Sequence, residues 1–353
     1  MNLSISPFKP WIGALAIVAV IECMVQVMYS PAVSERTNFL QFSYGRDEPA
    51  QRLFMYHKLT AFAEINPTIV QSGDSSGFYG IEPAAIMRYL PKGATYLNLS
   101  CCANLGFNGY YNVFRFMADR NPGLRYFVLH ITPYTMPRPE MWNSDGAALW
   151  GDSSIKVFGD AIYNEFISSR HYVYPPSLAF RRNVSDRVFY LDGLLRRLDR
   201  PLLQAGNYLE FLRVYKSTLG WMPENDVRGG VYASECDIAE SEFFDARRLK
   251  WKTYTEEVLD AYAELAQKYQ KTLVVVFQPV ACIYGTGRGS AKTRQAIEHF
   301  RIEHPEVEMP FPLITTWSAD LFSVPAHIRH EHTDLLAQRL GPAMAEIVGR
   351  HGL

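Results

Sequence analysis

Apolar and polar positions divide the chain into three regimes. The first is a nearly continuous apolar stretch, Trp11 to Tyr29, of membrane-spanning length. It predicts an N-terminal transmembrane helix within residues 1–32. Residues 33–66 read as a polar stalk leading into a helix near Ala50–Ile65. In the second regime short apolar runs alternate with longer helical patterns. Strands are expected at Thr68–Gln71, Ala94–Ser100, Leu124–Thr132, Thr272–Val280 and Leu313–Trp317. Helices are expected at Ile81–Tyr89, Gly109–Asp119, Lys250–Tyr269, Lys292–His304 and Thr333–His351. This alternation predicts an α/β fold: a doubly wound, five-stranded parallel sheet with helices on both faces. Ligands of such sheets bind beyond the carboxyl ends of the strands.

The third regime interrupts the second. Residues 134–245 are rich in Pro, aromatics and Arg, with helical patches such as Asp186–Leu203. A structureless connection of that length does not suit a compact domain, so it reads as an inserted cap subdomain. The α/β domain is then expected over 67–133 and 246–353.

Charge and cysteine content refine this picture. Lys+Arg number 35 against Asp+Glu 36, a balance that excludes a nucleic-acid binder, which needs a basic surface. Lys9 ahead of the apolar stretch favours a cytoplasmic N-terminus, which places the rest of the chain outside the cytoplasm. No clean small-x-small cleavage site follows, so a retained signal anchor is expected; the rival is a cleaved leader. Glu22 and Gln26 share one face of this segment, and a carboxyl group there calls for a partner helix or another polar contact. Cys101, Cys102, Cys236 and Cys282 show no CxxC metal spacing. Buried free thiols are expected, with a Cys236–Cys282 bridge as the alternative for an exported domain.

Candidate chemistry centres on Ser75, at the carboxyl end of the first strand in Gly73-Asp74-Ser75-Ser76-Gly77. A lone Gly-Asp-Ser is usually a turn. His327, between the last strand and the terminal helix, changes that reading. From that loop an imidazole reaches the rim where the serine sits, takes the hydroxyl proton during attack and returns it to the leaving group.

These blocks resemble the SGNH/GDSL hydrolase superfamily over residues 67–133 and 248–350. Gly73-Asp74-Ser75 matches the first block, whose serine is the nucleophile. Asn98-Leu99-Ser100 matches the lead into the second block. His327, followed by Ile328 and a helix containing Ala337 and Leu340, matches the last. With its N-terminal anchor and Gly80-Ile81-Glu82-Pro83 after the serine, the chain is most similar to membrane-anchored bacterial envelope proteins. These include alginate O-acetyltransferase-like proteins and the D-alanyl-transfer protein of teichoic acid. The resemblance implies a flavodoxin-like SGNH fold and serine-dependent acyl transfer, as an O-acetyltransferase or esterase. It further implies an acyl donor, an envelope-polysaccharide acceptor and an integral-membrane O-acyltransferase partner. The location implied is the inner membrane, single-pass, with the catalytic domain on the periplasmic side. No cofactor is called for.

Three positions depart from the family's pattern. Ala103 stands where a glycine amide serves the oxyanion, with Gly106 nearby; either retains the N–H donor. After the third strand Thr132 stands in for an asparagine. Val324 occupies the place of the acid three residues before the histidine, leaving Asp320 or a backbone carbonyl to orient His327. Two rival functions follow: a non-catalytic envelope scaffold on a degenerate fold, and a secreted esterase with its leader removed.

Weaker signals have plainer readings. His330-Glu331-His332 lacks the spacing of a zinc helix, so no metal site is expected. The run 285–293 lacks the second glycine of a phosphate loop and reads as a flexible lead into a helix. Arg196, Arg197 and Arg200 read as a solvated helix face, the alternative being contact with lipid headgroups or an anionic polymer. Asn98, within N-x-[ST], reads as a buried residue that pins the serine loop.

Overall fold

The computed structural model describes residues 9–28, 62, 65–101, 106–133, 213–222, 253–281, 289–324 and 327–353. The chain divides into two compact units: residues 1–57 with 164–212, and residues 58–163 with 213–353. The lead-in helix at Ala50–Ile65, apart from Phe62 and Ile65, lies outside the described residues. So do the patch at Asp186–Leu203, its arginines, and Ala103, Cys102, Cys236 and Cys282.

In the first unit the described element is helix α1 (Lys9–Met28). Trp11, Leu15, Val20 and Val27 along it are exposed. The transmembrane helix expected here is not supported: among the described residues no helix is long and apolar enough to cross a membrane. The uninterrupted apolar run, Trp11–Ile21, stops at Glu22, roughly half the length that the hydrocarbon core of a bilayer requires.

The second unit is a mixed α/β body on a parallel sheet. Strands β1 (Ile69–Gly73), β2 (Tyr96–Asn98), β3 (Tyr126–Ile131) and β4 (Thr272–Phe277) form a four-stranded sheet in the order β2-β1-β3-β4. Every β1–β2, β1–β3 and β3–β4 pair is parallel. These strands are buried on both faces, which is why they read as apolar runs.

Helices cover both faces of this sheet. Helices α4 (Gly106–Arg120) and α5 (Thr253–Tyr269) pack on one face, where Phe114 stacks on Phe127 with ring centroids 4.8 Å apart. On the other, Ile86 of α3 (Pro83–Met87) and Leu340, Met344 and Ile347 of α7 (Thr333–His351) bury Ile69, Tyr126, Val128 and Val274. A short helix, α2 (Ser75–Gly80), lies at the strand ends. The helix expected at 81–89 is present as α3 but begins only at Pro83: Ile81 and Glu82 are extended, because Pro83 disfavours the helical conformation of the residue before it.

The fifth strand does not join the sheet. Past Pro279 a short β5 (Val280–Ala281) pairs with β6 (Thr316–Trp317) as a separate two-stranded ladder. Beside β4 lies Glu308, whose N–H donates to Leu273 and whose carbonyl accepts from Val275. Pro310 and Pro312 follow, and without N–H donors the segment cannot extend that pairing. Helix α6 (Gly289–Glu303) precedes this segment. Strands β7 (Phe322–Val324) and β8 (His327–Ile328) form an antiparallel pair leading to α7.

Residues 213–222, expected within the cap, belong to the unit of the sheet. A helical turn at 213–217 leads to Leu219, whose carbonyl accepts the Asn98 N–H at 3.0 Å on the edge strand β2. Leu219 and Gly220 both have positive φ, 54° and 99°. A Cβ on Gly220 would lie 1.9 Å from the Asn98 carbonyl oxygen, so only glycine fits there.

Gly341 of α7 faces the Tyr89 ring so closely that an added Cβ would lie 2.2 Å from a ring carbon. Gly341→Ala is expected to destabilise the protein by about 1–3 kcal/mol through overpacking. In a Tyr89→Ala background the same change becomes neutral or stabilising, since alanine is the better helix former. Urea unfolding of the two single variants and the double variant measures this coupling.

Candidate functional site

Gly73 ends β1 by running against β3: a Cβ there would meet the His130 carbonyl oxygen at 1.7 Å. The next residue, Asp74, caps α2. One carboxylate oxygen accepts the Ser76 N–H at 3.0 Å and the Ser76 hydroxyl at 2.5 Å. The other accepts the backbone N–H and the hydroxyl of Thr132, each at 2.9 Å. An Asp at an N-cap is a common choice. Here it also ties the end of β1 to the end of β3, and it places Ser75 at the first position of α2.

Beneath α2 lies a floor of buried polar side chains on one face of the sheet. Gln71 donates to Asn98 Oδ1 at 3.1 Å and to Ser100 Oγ at 2.8 Å, while the Tyr96 hydroxyl donates to Gln71 Oε1 at 2.6 Å. Asn98 Nδ2 donates to the carbonyls of Gly77 at 2.8 Å and Ile81 at 2.9 Å, which fixes the carboxyl end of α2. Gly77 is where the helix touches this floor: a Cβ would lie within 3 Å of Gln71, Ser100 and His130.

His327 comes to this rim from β8, four residues after Ser323, whose hydroxyl donates to the His327 carbonyl at 3.3 Å. Its Nε2 lies 2.8 Å from Ser75 Oγ, the hydrogen-bond distance a proton transfer needs. Both side chains are partly exposed. Across the imidazole stands Tyr79, with ring centroids 5.1 Å apart and planes at 51°.

The remaining expected site residues are placed as follows. Asn98 is buried and pins α2. The Thr132 hydroxyl donates to Asp74 and so ties the end of β3 to the turn that carries Ser75. Gly106 opens α4, which packs against β1; Ala103 lies outside the described residues. Asp320 is not brought to His327. It is exposed in a 3-10 turn, its carboxyl held below the usual range by a hydrogen bond from Ser318, with His332 and Arg329 nearby. The cause is the β7–β8 hairpin. It sets Val324, three residues before the histidine, directly across the ladder from His327, and Asp320 lies before β7 begins. Among the described residues no cluster of His, Cys, Asp and Glu is arranged to hold a metal.

Cys101 is not the free thiol expected: it is disulfide-bonded. It is fully buried just past β2, with its N–H donated to the Gly73 carbonyl at 3.1 Å. Comparison of the chain with protein-family models, with curated proteins and with solved structures gave no match.

His130 is fully buried under α2, and its ring nitrogens have no hydrogen-bond partner among the described residues. Burial pushes its pKa down from 6.5 to about 4, partly opposed by the nearby charge of Asp74. Between pH 6.5 and 4 the unfolded chain takes up a proton that the folded chain refuses. Stability therefore falls with falling pH across that window and levels off below it, a loss of about 3 kcal/mol in all. Urea midpoints at pH 7 and 4.5 measure it: His130→Gln is expected to lose roughly 2 kcal/mol less than wild type. Equal losses would show that His130 does not titrate this way.

Proposed function

We propose that this chain is a serine-dependent acyl-transfer enzyme of the SGNH type, with Ser75 as nucleophile and His327 as general base. The observation that carries this reading is the 2.8 Å contact between Ser75 Oγ and His327 Nε2, made between residues 252 positions apart in sequence. A surface serine and a surface histidine have no structural need for such a meeting. Here Ser75 follows the end of β1 and the β7–β8 pair brings His327 to it, at the rim of a parallel sheet where substrates of this architecture bind.

The steps follow from the geometry. Ser75 Oγ attacks the carbonyl carbon of an acyl donor while its proton passes to His327 Nε2. The negative charge that develops on the carbonyl oxygen is met by backbone N–H groups. The Ser75 N–H, at the first position of α2, has no intrahelical partner and is the first of these. Ala103 or Gly106 supplies the second. The intermediate collapses, the bond to the leaving group breaks, and His327 returns its proton to that group. His327 then deprotonates an acceptor hydroxyl, or water, which attacks the acyl-serine and restores Ser75. Asp320 has no part in this scheme, so the pair works as a dyad, or with another group orienting the imidazole.

Substrate class and location belong to the same proposal. The Cys101 disulfide supports an oxidising compartment outside the cytoplasm. The exposed apolar residues of α1 suit attachment at the inner membrane, next to an integral-membrane O-acyltransferase partner. The acceptor in that setting is an envelope polysaccharide.

A fluorophosphonate probe tests the chemistry. Wild type is expected to be labelled at Ser75, Ser75→Ala not at all, and His327→Ala at least 100-fold more slowly. Equal labelling of all three proteins would remove Ser75 from the mechanism and favour a non-catalytic scaffold.

A further inference from the structure

We infer that Trp221, in the segment 213–222, is a positioning residue for His327 and acts through the ring of Tyr79. The inference rests on the reading of Ser75 and His327 as an acyl-transfer pair and adds a residue that the reading does not contain.

Three contacts form a line. At the carboxyl end of α2 the Gly77 carbonyl accepts both the Ile81 N–H at 3.2 Å and Asn98 Nδ2 at 2.8 Å, while that of Tyr79 accepts Trp221 Nε1–H at 2.6 Å. The Tyr79 ring then stands 5.1 Å from the His327 imidazole. The backbone that carries the indole is held in turn. Trp221 N–H donates to the Thr218 carbonyl at 3.4 Å, and the Thr218 hydroxyl donates to the Trp221 carbonyl. Gly220 N–H donates to the Tyr215 carbonyl at 2.9 Å, and the Tyr215 hydroxyl reaches the Asn98 carbonyl at 3.3 Å. Tyr215 is fully buried against Phe62, at 5.1 Å between ring centroids. The strap is therefore anchored on the sheet edge on one side and on the carboxyl end of α2 on the other.

The chemistry gives this line a purpose. When the Ser75 proton moves to Nε2, His327 becomes an imidazolium. An aromatic ring within about 6 Å attracts such a cation through its π-electrons. The ring also limits rotation of the imidazole, so that Nε2 keeps facing Ser75 Oγ. Both effects require Tyr79, in the last turn of a six-residue helix, to stay in place. The hydrogen bond from Trp221 supplies that constraint.

The test uses the full chain with Tyr79→Leu, Tyr79→Phe and Trp221→Phe, the last removing the donor but keeping an aromatic ring. Two readouts are taken: the fluorophosphonate labelling rate, split into maximal rate and half-saturating probe concentration, and the NMR resonances of the His327 imidazole at one pH. Tyr79→Leu and Trp221→Phe are expected to lower the maximal rate by about 2- to 30-fold, with half-saturation unchanged. Tyr79→Phe is expected to recover most of the rate lost in Tyr79→Leu. The His327 resonances are expected to shift in Tyr79→Leu, through loss of the ring current, and in Trp221→Phe, through displacement of the ring. Unchanged His327 resonances in folded Trp221→Phe would overturn the inference, as would a change confined to half-saturation. If wild type is not labelled while the resonances move as stated, the acyl-transfer reading fails and the positioning contact stands.

Discussion

Asp74 sits where two parallel strands end, and its carboxylate gathers donors from both. Ser76 approaches from α2, the helix that begins with Ser75, and Thr132 from the end of β3. The ladder makes its last bond here, from the Asp74 N–H to the His130 carbonyl at 3.3 Å, before the chain leaves the sheet to form a helix. The carboxylate adds side-chain bonds to that last rung. It fixes the distance from β1 to β3, sets the first turn of α2, and thereby aims Ser75. Replacing it with an amide would pit an N–H2 group against existing donors, a mismatch that buried networks tolerate badly. The site depends on this group although it never touches the reacting atoms.

Asn98 does the same for the other end of the helix, and Gln71, Tyr96 and Ser100 link it to the strands. The floor under α2 is thus polar but internally satisfied at most of its atoms. Such a bed prescribes one helix position, whereas an apolar surface would tolerate sliding. His130 is the discordant member. Neutral and deeply buried, it serves packing at neutral pH and becomes a liability in acid.

Much of the sheet was legible because strands buried on both faces carry a strong apolar signal. Leu124–Thr132 and Thr272–Val280 contain β3 and β4 almost entire. Ser75 follows the end of β1 as the sequence suggests, but His327 reaches it from a separate antiparallel pair and not from the end of a strand of the sheet. What escaped were features set by tertiary geometry. The fifth strand was lost because Pro310 and Pro312 confine pairing with β4 to Glu308. Asp320 looked near His327 by count, but a hairpin turned the chain between them. Trp221 lay in a region without periodicity, and its partner, a carbonyl 142 residues away, leaves no trace in local sequence. The only hint was Gly220, a glycine needed for close approach, indistinguishable by sequence from an ordinary loop glycine.

The docking of residues 218–220 on β2 has a bearing on how this protein can be cut. β2 is the outer strand of the sheet, and its Asn98 N–H is covered by the Leu219 carbonyl. An uncovered strand edge is a template for pairing with other chains. Excising the whole of 134–245 to obtain a minimal α/β body would bare that edge and release Tyr79 together. A trimmed protein that keeps residues 213–222 avoids both, so the natural seam of this molecule lies ahead of Arg213 and not where the α/β rhythm pauses.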